Sequence, residues 1–369
     1  MIRLRPQAPV LRLGMVLVCL LIVVTACGGS AARAVPTPSG GLLGSRPSPS
    51  GTPIAPASAS PQAVAAARAT AASATPRPTA RTTSTNPPAP PRPRTVLGGC
   101  QVFPASNPWN QDIANAPVNP MSASYIAAID STKQFLHPDF GSNPTYGIPY
   151  TVVPASQKFV PITFNAYGSE SNPGPYPVPL NAPVESGSDH HVLVLDSGNC
   201  HLYEMYDAQP SGSGWVCASG AVFNLSSNAL RPDGWTSADA AGLPILPGLA
   251  LYNEVAAGVI NHALRFTVAD TQNGFIHPAT HQAGVKNPSL PPMGLRLRLE
   301  ASFSLAGFTG EALVILRALK TYGMIVADNG SSWYISGATD PRWDDNNLDE
   351  LKSVPGSAFQ VVETGPILH

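Results

Sequence analysis

From about residue 98 onward the chain alternates short apolar runs with clusters of Pro, Gly, Asn and Ser. "PYTVVP", "KFVPITF", "HHVLVLD", "CHLYEMYD", "HALRFTVA", "LRLRLEASF", "YGMIVAD" and "SWYISG" follow one another with turn signals between them. Runs of this length, rich in β-branched and aromatic residues, predict strands, and many such strands in succession predict a sandwich or jelly roll. Two segments instead repeat their apolar positions at helical spacing, "SASYIAAIDSTKQFL" and "GEALVILRALKTYG"; Gly323 closes the second, where a helix C-terminus favours glycine. No second linker interrupts residues 98–369. The pattern therefore predicts a mainly β, single-domain fold, β-sandwich or jelly-roll-like, with a few peripheral helices.

The first 97 residues have another pattern. Arg3, Arg5 and Arg12 precede an uninterrupted apolar run that ends in small residues at Val24-Thr25-Ala26-Cys27, the order of a secretory signal. That end resembles the lipobox of bacterial lipoproteins, with Val24 in place of the usual leucine, which implies a signal peptide over 1–26 and a lipid on Cys27. A plain cleaved signal and a single membrane anchor are the alternatives, and all three send the remainder outside the cytoplasm. From Cys27 to residue 97 the chain is mostly Ala, Pro, Ser, Thr and Arg, with no stretch able to bury a core, so a disordered spacer is expected.

Charge divides at the same place. The chain has 21 basic and 22 acidic residues, but ten of the basic ones precede Asp112, the first acidic residue. The part from Asp112 onward is acidic, and the near-neutral total hides a basic tether on an acidic domain. Nucleic acid is not an expected partner, because phosphate binding needs a positive footprint. The expected partners are a membrane, through the Cys27 lipid, and a glycan or other envelope polymer. Cys100, Cys200 and Cys217 remain for the folded part, and outside the cell an odd number allows at most one internal bridge. Cys100 with Cys200 is favoured and Cys200 with Cys217 is the rival. The cysteines lack zinc-ligand spacing, and no phosphate loop, nucleophile elbow or His-Glu-x-x-His helix occurs, so no cofactor or metal is implied.

Candidate chemistry lies in four patches. In "SDHHVLVLD", His190 shares a strand face with Val192 and Val194 while His191 shares the other with Leu193 and Leu195, which makes one a core residue and the other a cleft-edge base; His191 is the candidate. "GWTSADAAGLPILPGLALYNEVAAGVINHALRF" holds Asp239 and Glu254, an acid and base for glycoside hydrolysis if the fold sets them across one cleft. The plain alternative is that Asp239 caps a turn and Glu254 lies on the surface. Within "HALRF", alternation puts Arg265 toward a cleft as a substrate anchor and His262 toward the core. "GFIHPATHQAG" adds His277 and His281, which Pro278 places on a loop; with His190, His191 and His262 they would hold a metal only if they converged. Finally, Arg296, Arg298 and Glu300 form a polar stripe expected at solvent or at a cleft, and Asp328, Asn329 and Trp333 offer an acid, an amide and a flat ring of the kind that suits sugars.

The globular part also resembles a family of secreted bacterial proteins that share "NPWN", "HPDFG", "GWTSADAAGLPILPGL", "HALRF" and "YGMIVADNGSSWYISG". The resemblance implies one intact domain in an extracytoplasmic setting and brings no catalytic residues with it. Two functions are expected. One is a membrane-anchored lipoprotein that binds or cleaves carbohydrate by acid–base chemistry, as a glycoside hydrolase or, on a uronic-acid polymer with Arg265 neutralising the substrate, a lyase. The other is a non-catalytic envelope-binding or scaffold module. An enzyme gathers its carboxylates, histidines and arginine in one pocket with shifted protonation, whereas a scaffold scatters them.

Overall fold

The computed structural model describes residues 94–369. The expected signal peptide, the expected lipid site at Cys27 and the expected spacer up to residue 93 lie outside the described residues. The apolar runs of the sequence become strands, among them β1 (His137–Asp139), β2 (Tyr150–Val153), β3 (Val192–Asp196), β4 (His201–Tyr206), β5 (Ser219–Asn224), β6 (Leu264–Val268), β7 (Arg296–Leu299), β8 (Met324–Asn329), β9 (Tyr334–Ser336) and β10 (Phe359–Val361). The fold is mainly β, as the pattern predicts. Its helices are short: α1 (Ser122–Ile129), α2 (Tyr252–Ala256) and α3 (Gly310–Thr321) are three of them, and Gly323 follows α3 at φ +67°, a value that favours glycine. Among the described residues no helix is long and apolar enough to cross a membrane.

One sheet runs β5-β4-β3-β2 and a second runs β10-β7-β8-β6-β9-β1. Both are mixed: β3 pairs antiparallel with β4 but parallel with β2, and β6 pairs parallel with β8 but antiparallel with β9. The alternation read from "HHVLVLD" holds from Val192 to Leu195, but both histidines precede the strand, and His191, expected at a cleft edge, is the buried one, while His190, at φ +47°, is part-exposed. Leu193 and Leu195 join Leu202, Ala221 and Phe223 in the main core, which also contains Leu264, Phe266 and Val326 of the larger sheet. Val192 and Val194 face the other way, into a smaller core with Tyr176, Trp215 and Cys217. Both faces of the four-stranded sheet are thus covered, which is why β3 reads as a continuous apolar run.

Cys100 and Cys200 form a disulfide, and Cys217 is a buried free thiol, so the favoured pairing is the one present. The bridge ties the segment of Cys100 to the turn between β3 and β4.

Of the polar stripe expected at solvent or at a cleft, Glu300 is part-exposed and lines a surface cavity, but the two arginines on β7 are not at solvent. Arg296 and Arg298 are buried and spend their guanidiniums on backbone carbonyls. Arg296 reaches Tyr322 O, Pro108 O and Gln111 O, and Arg298 reaches Ile113 O. Alternation separates the two faces of a strand but does not say which face the N-terminal segment will cover.

Candidate functional site

A cavity of about 280 Å³ opens beside the end of β8, lined by Tyr167, Asp189, Tyr206, Thr236, Asp239, His281, Asp328 and Asn329 among others. Three local features build it. The first is a bulge on β8: Phe266 pairs with Val326 but Thr267 pairs with Asp328, so Ala327 is an extra residue in the ladder. Strict alternation would turn Asp328 away from Arg265; the inserted residue puts it on Arg265's side of the sheet. The second is the turn that carries Asp239. Ser237 Oγ accepts from the Asp239 N–H at 2.9 Å, Asp239 Oδ1 accepts from the Ala241 N–H at 3.2 Å, and Gly242, at φ +73°, closes the turn. The Ala241 N–H also donates to the carbonyl of the bulged Ala327 at 3.0 Å, which pins this turn to the bulge. The third is the loop of His281, whose backbone N–H, like that of Thr280, donates to Ala241 O.

Arg265 joins these parts. Its Nε and Nη2 meet Asp239 Oδ2 at 3.1 and 3.0 Å, Nη1 donates to Ser336 Oγ at 2.7 Å, and Nη2 lies 3.8 Å from Asp328 Oδ2. One guanidinium therefore serves two carboxylates. Burial pushes the Asp239 carboxyl up to about 7 although Arg265 opposes the shift, and burial also raises Asp328 against the same arginine. Two interacting acids that share one cation titrate as a pair and retain a proton into the neutral range. They are not equally accessible: the Asp239 side chain is fully covered, whereas that of Asp328 is 23% exposed. Asp328 is the member of the pair that can meet a ligand.

The histidines divide by what their nitrogens touch. His191 is buried, with Nδ1 2.6 Å from Glu185 Oε2 and Nε2 2.9 Å from Ala238 O. Both neighbours accept, so both ring nitrogens carry protons; burial opposes that charge, but the bond and the charge of Glu185 outweigh it and raise the imidazole above its ordinary range. A base needs a free lone pair, which the doubly bonded His191 lacks, so His191 holds the Ala238–Asp239 segment in position. In His281, Nδ1 donates to Ala240 O at 2.8 Å, which leaves Nε2, 4.0 Å from Glu170 Oε2, without a hydrogen bond. His281, which the sequence marks only as a loop histidine, is the one in the cavity wall with a nitrogen to offer.

Glu254 does not face Asp239. It sits on α2, where Oε2 meets His262 Nε2 at 3.0 Å and Oε1 accepts from Thr95 Oγ1, and it lines a different cavity beside Thr95 and Tyr150. The pairing of Asp239 with Glu254 across one cleft is thus overturned, while His262 is buried as the alternation predicts. Trp333 is not a stacking platform: it is fully buried between Phe266 and Phe359, with ring centroids 6.1 and 5.3 Å away. Asn329 does line the cavity, with its amide nitrogen 3.3 Å from Thr271 Oγ1. The five histidines do not converge. His190, His191, His262, His277 and His281 each approach a different carboxylate, those of Asp207, Glu185, Glu254, Asp233 and Glu170. Among the described residues no group of three or more His, Cys, Asp or Glu side chains is placed to hold a metal.

Glu204 is a buried acid that the sequence reading passes over. It lies on the core face of β4, fully buried, and its carboxylate accepts from the N–H groups of Ile245 and Leu246 at 2.9–3.0 Å. Burial pushes it up to about 7 against those two donors. The signal is present in the chain: a lone acid in the alternation Leu202, Glu204, Tyr206, on a face otherwise apolar, requires a buried partner. Glu204 fastens the proline-bounded turn Leu246–Gly248 to β4 and so steadies the segment that leads away from Asp239. The aromatic rings that reach the cavity are Tyr167 and Tyr206. Compared with known protein families, curated proteins and solved structures, the chain matches none.

Proposed function

We propose that this cavity is a carbohydrate-binding site capable of acid–base chemistry, carried by an extracytoplasmic lipoprotein that Cys27 anchors to the membrane. One observation carries the reading: Asp239 and Asp328 share the Arg265 guanidinium at the edge of a polar cavity that Tyr167 and Tyr206 also line. Rings of this kind cover the apolar face of a sugar, while carboxylates and amides take its hydroxyls. At about 280 Å³ the space is near the lower bound, roughly 300 Å³, of ordinary ligand clefts, which suits a single sugar residue at the end or side of a larger glycan. The Asp239–Asp328 pair keeps a proton that Asp328 can deliver to a glycosidic oxygen, and His281 Nε2 can take one from an incoming water. Asp239 and Arg265 act through Asp328 and are positioning residues.

The test is turnover by the full chain on a panel of soluble polysaccharides, monitored by new reducing ends and by the absorbance of unsaturated sugars. Reducing ends that fall by about 10²–10⁴ in Asp328→Asn, and strongly in His281→Gln, are the expected result. Unsaturated products would replace hydrolysis with elimination. Binding of a glycan without any product would leave a tethered binding module, which the full burial of Asp239 independently favours.

A further inference from the structure

We infer that the cavity selects its sugar by charge, accepting an amino sugar whose free ammonium meets Asp189 and Asp328 and refusing uronates. The inference rests on the carbohydrate reading and narrows it. Asp189 and Asp328 bring carboxylates to the cavity wall, Asp239 lies fully covered behind them, and the wall has no lysine or arginine. The cations nearby are already committed. Arg265 is held by Asp239, Asp328 and Ser336. Arg231 spends its three nitrogens on Thr236 O, Asn172 Oδ1 and Glu170 O, and His191 lies between Glu185 and Ala238 O. His281 already gives Nδ1 to Ala240 O. No lysine or arginine remains to receive a substrate carboxylate, and the one basic nitrogen left in the wall, His281 Nε2, already has the Glu170 carboxylate 4.0 Å away, so the charge-neutralising role expected of Arg265 toward a uronic acid is filled by the protein's own acids.

Asp189 is the opposite case. Its Oδ1 accepts from Ser188 Oγ at 3.2 Å, and no ion pair reaches it among the described residues. A uronate brought here adds a negative charge beside Asp189, which has no cation of its own. An ammonium relieves it, and one placed against a tyrosine ring also gains from the ring's electron-rich face. Because the wall is partly exposed, added salt weakens the preference.

Isothermal titration of the full chain at pH 7 and low salt, with a glucosamine tetramer, its N-acetylated counterpart and a galacturonate tetramer, tests the inference. The glucosamine tetramer is expected to bind at least tenfold tighter than the N-acetylated one, and the galacturonate not measurably. Asp189→Asn, which disturbs a contact to a serine hydroxyl, is expected to bring the glucosamine tetramer close to the N-acetylated one while leaving the melting temperature unchanged. Asp233→Asn, an exposed acid paired with His277 away from the cavity, is expected to leave all three affinities as they are, which separates the cavity from the general acidity of the domain. Equal binding of the amino and N-acetylated tetramers, or tighter binding of the galacturonate, overturns charge selection and leaves the carbohydrate site standing. A preference that survives in both Asp189→Asn and Asp328→Asn overturns its assignment to this cavity. Binding of none of the three overturns the carbohydrate reading and this inference together.

Discussion

Glu254–His262 and Asp239–Arg265–Asp328 are built from similar parts and differ in their charge count. Glu254 has one oxygen on His262 and the other on Thr95, and the second nitrogen of His262 donates to Ala263 O at 2.8 Å. One anion faces one cation and each polar atom has a partner. Arg265 faces two anions, one fully covered and one partly open to a cavity. Matched charges on a closed site hold structure together; an excess carboxylate on an open side retains a proton and can pass it on. The disulfide belongs with the first case, because Cys100 and Thr95 fasten the same N-terminal segment.

The largest effect should come from removing the cation that serves two carboxylates. Arg265→Met leaves Asp239 buried without a counter-charge, at a cost of about 3–5 kcal/mol in the neutral to alkaline range. At pH 5 the Asp239 carboxyl, which burial pushes up to about 7, is largely protonated and needs no cation, so the cost falls there. Urea unfolding at pH 5 and pH 8 measures both values, and an equal loss at the two would show that Arg265 acts by packing alone. Next in size is the staple on the matched side. Replacing both Cys100 and Cys200 by serine opens a link across 100 residues and should cost about 2–4 kcal/mol at any pH, read as a lower urea midpoint.

The two regions are not equally legible in the sequence. The faces of β3, the buried His262 and the Cys100–Cys200 bridge come from alternation and from cysteine count, which are local or nearly so. Asp239, Arg265 and Asp328 each stand out as polar residues in apolar surroundings, but their meeting depends on a single extra residue at Ala327, and an inserted residue in "MIVADNG" leaves no mark on its composition. Glu254 reads as a partner of Asp239 because the two lie close in sequence, whereas α2 turns it toward Thr95. Trp333 shows the limit of residue type: an indole beside a turn suits a sugar or a core equally, and its close approach to Gly356, where an added Cβ would lie 2.4 Å from the ring, fixes it as core. His191 and His281 carry the same ring, and only the acceptors around each one separate a fixed imidazolium from an available base.

The smallest effect should come from Glu254→Gln, and its pH trend sharpens the contrast. Burial disfavours charge on His262, yet Glu254 and the Ala263 carbonyl overcome it and raise the imidazole above its ordinary value. A histidine raised in the folded state contributes stability that is fully present below the unfolded value of about 6.5 and is lost as pH rises through the folded one. Glutamine removes the charge that raises it, so the substitution should cost about 1–3 kcal/mol near pH 5.5 and progressively less as the pH rises past the unfolded value of about 6.5. That is the reverse of Arg265→Met, whose cost grows with pH. Melting curves of both variants between pH 5 and 9 should therefore cross relative to the unmodified chain, and glycan binding should be unchanged in Glu254→Gln because its cavity is a different one. Parallel trends would mean that the two sites are electrostatically one, and the distinction between a matched pair and an unmatched one would lose its basis.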